Sequence, residues 1–264
     1  MDIIKSKDNS KIKYIRSLST KKKRDEENVF IVEGIKFVNE AINEKANIIY
    51  LLFSESSLNK TDINELYNFS LKSGIDNYVC DDNIFNSISD TINAQGVIAV
   101  VEKKKHEENN LLKNCRFIVM CDRIQDPGNL GTIIRTSDAF GPAAVILNKG
   151  CVDIYNPKVV RATAGAIFRV PFVYIDSDIE FIATLNNHGY KIISTVVDSD
   201  NSFDDIDEEN KICVVIGNEG QGVSREIVES SHMNITIRMP GRAESLNASI
   251  AAGICIYEIR KKLL

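Results

Sequence analysis

The sequence predicts two α/β domains in tandem, each built on a mainly parallel sheet with helices on both faces. Three observations predict it. Short apolar runs alternate along nearly the whole chain with stretches whose apolar residues recur at helical spacing, and strands that alternate with helices imply parallel pairing. The alternation breaks at Lys103–Asn114 (KKKHEENNLLKN), a mostly polar and charged run that reads as a linker, so that the domains are 1–108 and 109–264. The chain of 264 residues, 44% hydrophobic and 26% charged, is long and apolar enough to bury substantial cores.

After a basic segment, Asn28–Glu33 (NVFIVE) reads as a strand, Ile35–Asn43 as an amphipathic helix and Ile48–Ser54 (IIYLLFS) as a buried strand. Asp62–Ser73 reads as a helix, Tyr78–Cys80 as a short strand, Ile84–Ser89 as a short helix and Gly96–Glu102 as a strand. Beyond the linker come strand Arg116–Cys121, helix Leu130–Phe140 ended by Gly141, strand Ala143–Leu147, helix Pro157–Ala164 and strand Val170–Tyr174. Helix Ile179–Asn187 closes at Gly189. Strands Lys191–Val197 and Lys211–Ile216, helix Arg225–Ser230 and strand Ile235–Met239 follow. A long helix from about Ser245 ends in basic residues that suit its dipole.

No apolar run approaches the ~20 residues needed to cross a bilayer, and the N-terminus lacks the apolar block of a secretory signal. Six cysteines without a CxxC pair, and three histidines scattered among polar residues, point to buried reduced thiols in a cytoplasmic protein and to no metal site. The net charge of −5 argues against a polyanion partner, but its distribution does not. Residues 1–24 carry nine basic and two acidic side chains, while Asp198–Glu209 holds seven acids and no base. Phosphate binding depends on the local field within a Debye length of about 8 Å. A basic arm able to hold RNA and a solvated charged helix face explain residues 1–24 equally well.

Ligands of parallel α/β sheets sit beyond the carboxyl ends of strands. Three loops there are rich in glycine and polar residues: Asp122–Arg135 (DRIQDPGNLGTIIR), Gly217–Ser224 (GNEGQGVS) and Met239–Asn247 (MPGRAESLN). Glycine lets main-chain groups approach a ligand closely. None of the loops is a GxGxxG fingerprint, a phosphate loop or a GxSxG nucleophile elbow. Each polar residue has a plain alternative. Asn129 would cap the helix that follows it, and Arg135 is either an ion-pair partner or a phosphate fork. Glu219 would cap the helix after Ser224 or hold a ligand, and Ser245 would cap the last helix with Asn247 in its first turn.

The stretches Asn129–Gly141 (NLGTIIRTSDAFG), Val214–Gly222 (VVIGNEGQG) and Ile237–Ala251 (IRMPGRAESLNASIA), in this order, resemble the three signature motifs of the SpoU–TrmH family of RNA ribose 2′-O-methyltransferases in the SPOUT superfamily. Asn156–Pro171 also looks like the family's pattern. The resemblance covers roughly 115–264; the N-terminal part looks more loosely like the family's small RNA-binding domain of ribosomal-protein-like fold. It implies S-adenosylmethionine as methyl donor, a C-terminal trefoil knot, and a homodimer with its sites near the subunit interface. By position, Gly217, Ile237 and Leu246, with Met239 and Gly222, look like cofactor contacts, and Asn129, Arg135, Glu219, Ser245 and Asn247 like the polar residues of the transfer centre. Asn218, and Arg238 where proline is frequent, depart from the motifs without removing a catalytic group.

Methyl transfer from a sulfonium is an in-line displacement that requires an aligned hydroxyl oxygen and a route for its proton. Arginine is a poor base, its pKa exceeding ~12. Arg135 is therefore expected to stabilise the developing alkoxide, oriented with the ribose by Glu219 and Asn129. Lys11, Lys13, Arg16, Lys21–Arg24 (Lys22 among them), Lys158 and Arg161 would track RNA phosphates. The expected substrate is large-subunit ribosomal RNA. Transfer RNA, methylation of a base nitrogen, and a non-catalytic RNA binder on the same fold are the alternatives.

Overall fold

The computed structural model describes residues 2–91, 93–141, 143–207 and 211–263; Glu208 and Glu209 of the acidic stretch lie outside the described residues. The first elements are β1 (Ile3–Ile4), α1 (Ser10–Ser17), α2 (Lys21–Glu27), β2 (Val29–Glu33), α3 (Ile35–Asn43), β3 (Ile48–Ser54), α4 (Thr61–Lys72), β4 (Asp76–Cys80), α5 (Asp82–Asn86) and β5 (Val97–Glu102). Next come α6 (Glu108–Asn114), β6 (Phe117–Cys121), α7 (Pro127–Ala139), β7 (Ala144–Leu147), α8 (Pro157–Ala162), β8 (Phe172–Tyr174) and α9 (Asp178–Asn187). The chain closes with β9 (Tyr190–Thr195), β10 (Lys211–Ile216), α10 (Arg225–Ser230), β11 (Met233–Ile235) and α11 (Ala248–Leu263). They form two units, one from the residues up to Lys105 together with Tyr155–Phe168, the other from His106–Ile154 and from Arg169 onward.

The first unit carries a five-stranded sheet in the order β1-β4-β3-β5-β2. It is mixed, because β5 runs antiparallel to both β2 and β3. Residues 2–24 are not an arm. Asn9 caps α1 by accepting from the Lys11 N–H at 2.9 Å, and Ile12, Ile15 and Leu18, three residues apart along one face, are buried in the core with Leu52, Phe85 and Val100. Tyr155–Phe168, expected in the second domain, clusters with this unit. There Phe30 of β2 lies 4.7 Å from the Tyr155 ring and 6.0 Å from Phe168.

The second unit carries a six-stranded, all-parallel sheet in the order β11-β9-β10-β6-β7-β8. A strand covered on both faces needs an unbroken apolar run, and Phe117–Cys121 of β6 is buried throughout. The polar run 103–114 is only partly a linker: α6 forms within it and buries Leu111 and Leu112 against Ile118, Tyr190 and Cys213. The last strand ends at Ile235 rather than Met239, and 236–247 continues without regular structure. From β6 the chain builds outward through β7 and β8, then crosses to β9 and returns beside β6 as β10. The carboxyl ends of β6 and β10 are thus the point where connections part, the position at which an open parallel sheet leaves a crevice. Among the described residues, no helix is long and apolar enough to cross a membrane.

Candidate active site

Two of the three glycine-rich loops leave adjacent strands. Cys121 of β6 pairs in register with Ile216 of β10, so Asp122–Asp126 and Gly217–Ser224 start side by side. Gly217 has no room for a side chain, since a Cβ there would overlap the main chain of Gly222 and Val223. Gly222 itself has φ of 68°, and its N–H and carbonyl close a small loop on Asn218.

Asp126, not Asn129, caps α7, accepting from the Asn129 N–H at 2.8 Å with Pro127 opening the helix. The Asn129 side chain is thereby freed and turns to the other loops. Its Nδ2 donates to Glu219 Oε1 at 2.9 Å, and its Oδ1 accepts from Asn247 Nδ2 at 2.9 Å. Asn247 in turn caps α11, its Oδ1 accepting from the Ser249 N–H at 2.9 Å and the Ile250 N–H at 3.3 Å. Ser245, the expected cap, is exposed outside the helix. One chain of side-chain hydrogen bonds thus joins all three loops through Glu219, Asn129 and Asn247.

Glu219 does not cap α10. It also accepts from the Asp126 N–H at 3.3 Å and the Gln125 N–H at 3.4 Å. Burial pushes its carboxyl upward, but the Asn129 amide and these main-chain donors outweigh burial and hold it below the usual value. Arg135 is exposed on α7, and among the described residues no hydrogen bond or ion pair holds it. Six residues of helix turn it about 120° away from Asn129. Within one chain, therefore, neither Glu219 nor Asn129 orients Arg135, contrary to expectation.

Beside the polar chain lies a cavity of about 350 Å³. Its walls include Gly217, Gly222, Ile237, Met239, Ser245 and Leu246, all expected from the sequence. Thr195–Val197 at the carboxyl end of β9, Thr236 and Glu244 line it too; only the spatial neighbourhood of β9 and β10 reveals the first of these. The size falls within the range of small-molecule sites. The described lining carries two carboxylates, Glu219 and Glu244, and no Lys or Arg. That donor set disfavours a polyphosphate and fits a ligand with a positively charged sulfur held by main chain and aliphatic walls. Asn218, set aside in the sequence, shapes this wall: its Oδ1 accepts from the Gly220 N–H at 3.0 Å and the Gln221 N–H at 3.1 Å.

In the first unit the expected phosphate contacts differ in availability. The Lys11 ammonium lies 4.7 Å from both the Tyr50 and Tyr78 rings, Lys13 pairs with Asp8 at 2.9 Å, and Lys22 approaches Glu26 at 3.9 Å. Arg16 and Lys158 are exposed, and Arg161 is half-buried. Arg24 is buried and donates to the carbonyls of Leu18 and Ser19, which removes it from any phosphate-binding face. The described residues contain no cluster suited to a metal ion. All six cysteines are free, and burial pushes the Cys151 thiol up to about 11.

The profile of the SpoU rRNA methylase family matches residues 116–257, and that of the MRM3-like substrate binding domain matches residues 9–99. The chain is 32% identical, over 98% of its length and 100% of the relative's, to the 23S rRNA (guanosine(2553)-2′-O)-methyltransferase RlmP of Bacillus subtilis. Among solved structures, an rRNA methyltransferase from Sinorhizobium meliloti superposes with a TM-score of 0.87 at 29% identity, covering 100% of this chain and 98% of the other, as does its AdoMet-bound form. The SpoU methyltransferase AviRb of Streptomyces viridochromogenes gives 0.85 at 25% identity, covering 97% and 98%.

Proposed function

The chain belongs to the SpoU rRNA methylase family; it is an S-adenosylmethionine-dependent RNA ribose 2′-O-methyltransferase, and we propose that the ribose it modifies lies in 23S ribosomal RNA. What supports the target is the full-length match to the Bacillus subtilis enzyme, which extends through the N-terminal unit where a substrate-binding profile also matches.

The observation that carries the chemistry is the Glu219–Asn129–Asn247 chain beside a cavity whose described lining holds no Lys or Arg. When bound, S-adenosylmethionine supplies an electrophilic methyl group on a positively charged sulfur. Gly217, Gly222, Ile237, Met239 and Leu246 would hold it by main chain and aliphatic contact. Asn129 and Asn247, each tied to the other, would fix the ribose, and Glu219 would hold Asn129 in its orientation. Ser245 would shape the cavity mouth. Arg135, exposed and without a partner among the described residues, is available to a phosphate and to the 2′-oxygen as negative charge develops there. We assign RNA tracking to Arg16, Lys158 and Arg161, with Lys11, Lys13 and Lys22 adding to the field.

The protein would act in the cytoplasm as a homodimer. What supports a dimer is an apolar stripe on α11, with Ile250 56% and Tyr257 49% exposed, continued by Phe140, whose ring lies 5.6 Å from Tyr257. What supports a C-terminal knot is the gathering of 236–247 and α11 onto the loops after β6 and β10. The test is nucleoside mass spectrometry and alkaline-cleavage mapping of RNA from cells with and without the gene. One ribose methyl missing from 23S RNA is expected. Its loss from transfer RNA instead, or a change at a base nitrogen, would overturn the proposal.

A further inference from the structure

Asp122, at the carboxyl end of β6, is fully buried. Its Oδ1 accepts from Arg123 Nε at 2.8 Å and Asn148 Nδ2 at 2.7 Å; its Oδ2 accepts from Arg123 Nη2 at 3.1 Å and the Ser224 N–H at 2.7 Å. Arg123 then reaches over the glycine loop. Its Nη1 donates to Gln221 Oε1 at 2.8 Å, and its Nη2 donates to the Gly222 carbonyl at 3.2 Å. The Arg123 carbonyl accepts from Asn218 Nδ2 at 2.8 Å, and the Asp122 N–H donates to the Ile216 carbonyl at 2.8 Å. The entry, tip and exit of the 217–224 loop are thus all tied to two consecutive residues.

The backbone is bent to allow this. Arg123 has φ of 55°, uncommon for a residue with a side chain, and its N–H is held by Asn148 Oδ1 at 2.7 Å. A Cβ at Gly150 would lie 3.0 Å from Arg123 Cγ, so the turn is packed closely from that side as well. Such a conformation persists only where its surroundings over-determine it, and such sites cluster at ligand clamps. Asp122 would keep Asn148 and the Ser224 N–H without any guanidinium; the added reach to Gln221 and Gly222 concerns the loop, whose residues line the cavity.

We propose that Arg123 is a positioning residue: braced on Asp122, it fixes the 217–224 wall in its cofactor-receiving shape before the cofactor arrives. This rests on the assignment of the cavity to S-adenosylmethionine. Ordering the wall in advance removes a cost that binding would otherwise carry, so the brace acts on affinity more than on turnover.

Two variants test it. Gln221→Ala removes the contact at the loop tip and leaves the pair with Asp122 intact, while Arg123→Lys keeps the charge but loses the fork. In each, calorimetric affinity for S-adenosylmethionine should fall about tenfold and the cofactor KM rise to match, with kcat at saturating cofactor within about twofold. In the cofactor-free protein, amide exchange across 217–224 should quicken about tenfold while the melting temperature of Gln221→Ala stays at the wild-type value. Unchanged exchange in the cofactor-free loop, even where affinity falls through a lost direct contact of Gln221, or a fall in kcat alone, would overturn the proposal. Should Arg123→Lys fail to fold, Gln221→Ala decides. A wild-type protein that does not bind S-adenosylmethionine defeats the cofactor assignment instead, and the exchange comparison then reports on the brace by itself.

Discussion

Arg135 and Glu219 carry opposite charges in opposite circumstances: the first is exposed and without an ion pair or hydrogen bond among the described residues, the second is held by the amides of Asn129 and Asn218 and by two main-chain donors. Arg135→Ala is expected to leave S-adenosylmethionine affinity unchanged while methyl transfer falls at least ~100-fold, about 2.7 kcal/mol; single-turnover kinetics on RNA would show this, and equal rates would remove Arg135 from the chemistry. Asn129→Leu deletes a donor that holds the Glu219 carboxyl down, so that carboxyl, followed by NMR titration, should ionise at higher pH than in the wild type. Asp122 offers a stability test. Burial raises its carboxyl, but Arg123, the Ser224 N–H and Asn148 together bring it below the usual value. A carboxyl depressed on folding contributes stability that is full above its unfolded value near 3.9 and is lost as pH falls through the folded value. The advantage of the wild type over Asp122→Asn in urea should therefore shrink as pH drops below about 4. Asn129, Glu219 and Asn247 were legible because polar groups beside glycine turns stand out. Their partners were not, because Asp126 followed by Pro127 takes the cap that Asn129 was expected to fill.

Helices α1, α2 and α6 hide in the sequence because polar and charged residues outnumber the few apolar ones of α1 and α6, and α2 (KKKRDEE) has none. In α1, Ile12 and Ile15 lie among polar side chains, and in α6 only Leu111 and Leu112 mark the buried face. Leu112→Ala should cost about 2–5 kcal/mol, read as a lower urea midpoint, because its side chain lies in the core of the second unit. A true linker would show no change. The strands were easier: β3 and β10 match their sequence bounds, since continuous apolar runs have few other uses. The start of the 236–247 loop reads as strand because Ile237 and Met239 are apolar, whereas the strand ends at Ile235 and these two side chains line the cavity.

At the scale of the whole molecule, the parallel architecture of the second unit was legible from alternation alone, while the antiparallel β5 was not, since pairing direction leaves no mark on a five-residue apolar run. Deleting residues 1–24 would remove Ile12, Ile15 and Leu18 from the first core, so phosphate tracking is better tested by single substitutions. Arg16→Ala and Lys158→Ala should each lessen the slope of log affinity against log salt by roughly one, with sequence preference unchanged. Light scattering should find a dimer that Tyr257→Glu weakens; a wild-type monomer would count against the α11 stripe as an interface.

The return of Tyr155–Phe168 to the first unit sets an order on its manufacture. A nascent chain completes an N-terminal unit only when its last segment clears the ribosome. Here the ring partners of Phe30 are encoded more than a hundred codons after it, beyond two strands of the neighbouring sheet. Until they emerge, that ring lacks its cover, and scissors placed at residue 108 would leave a fragment in the same unfinished condition.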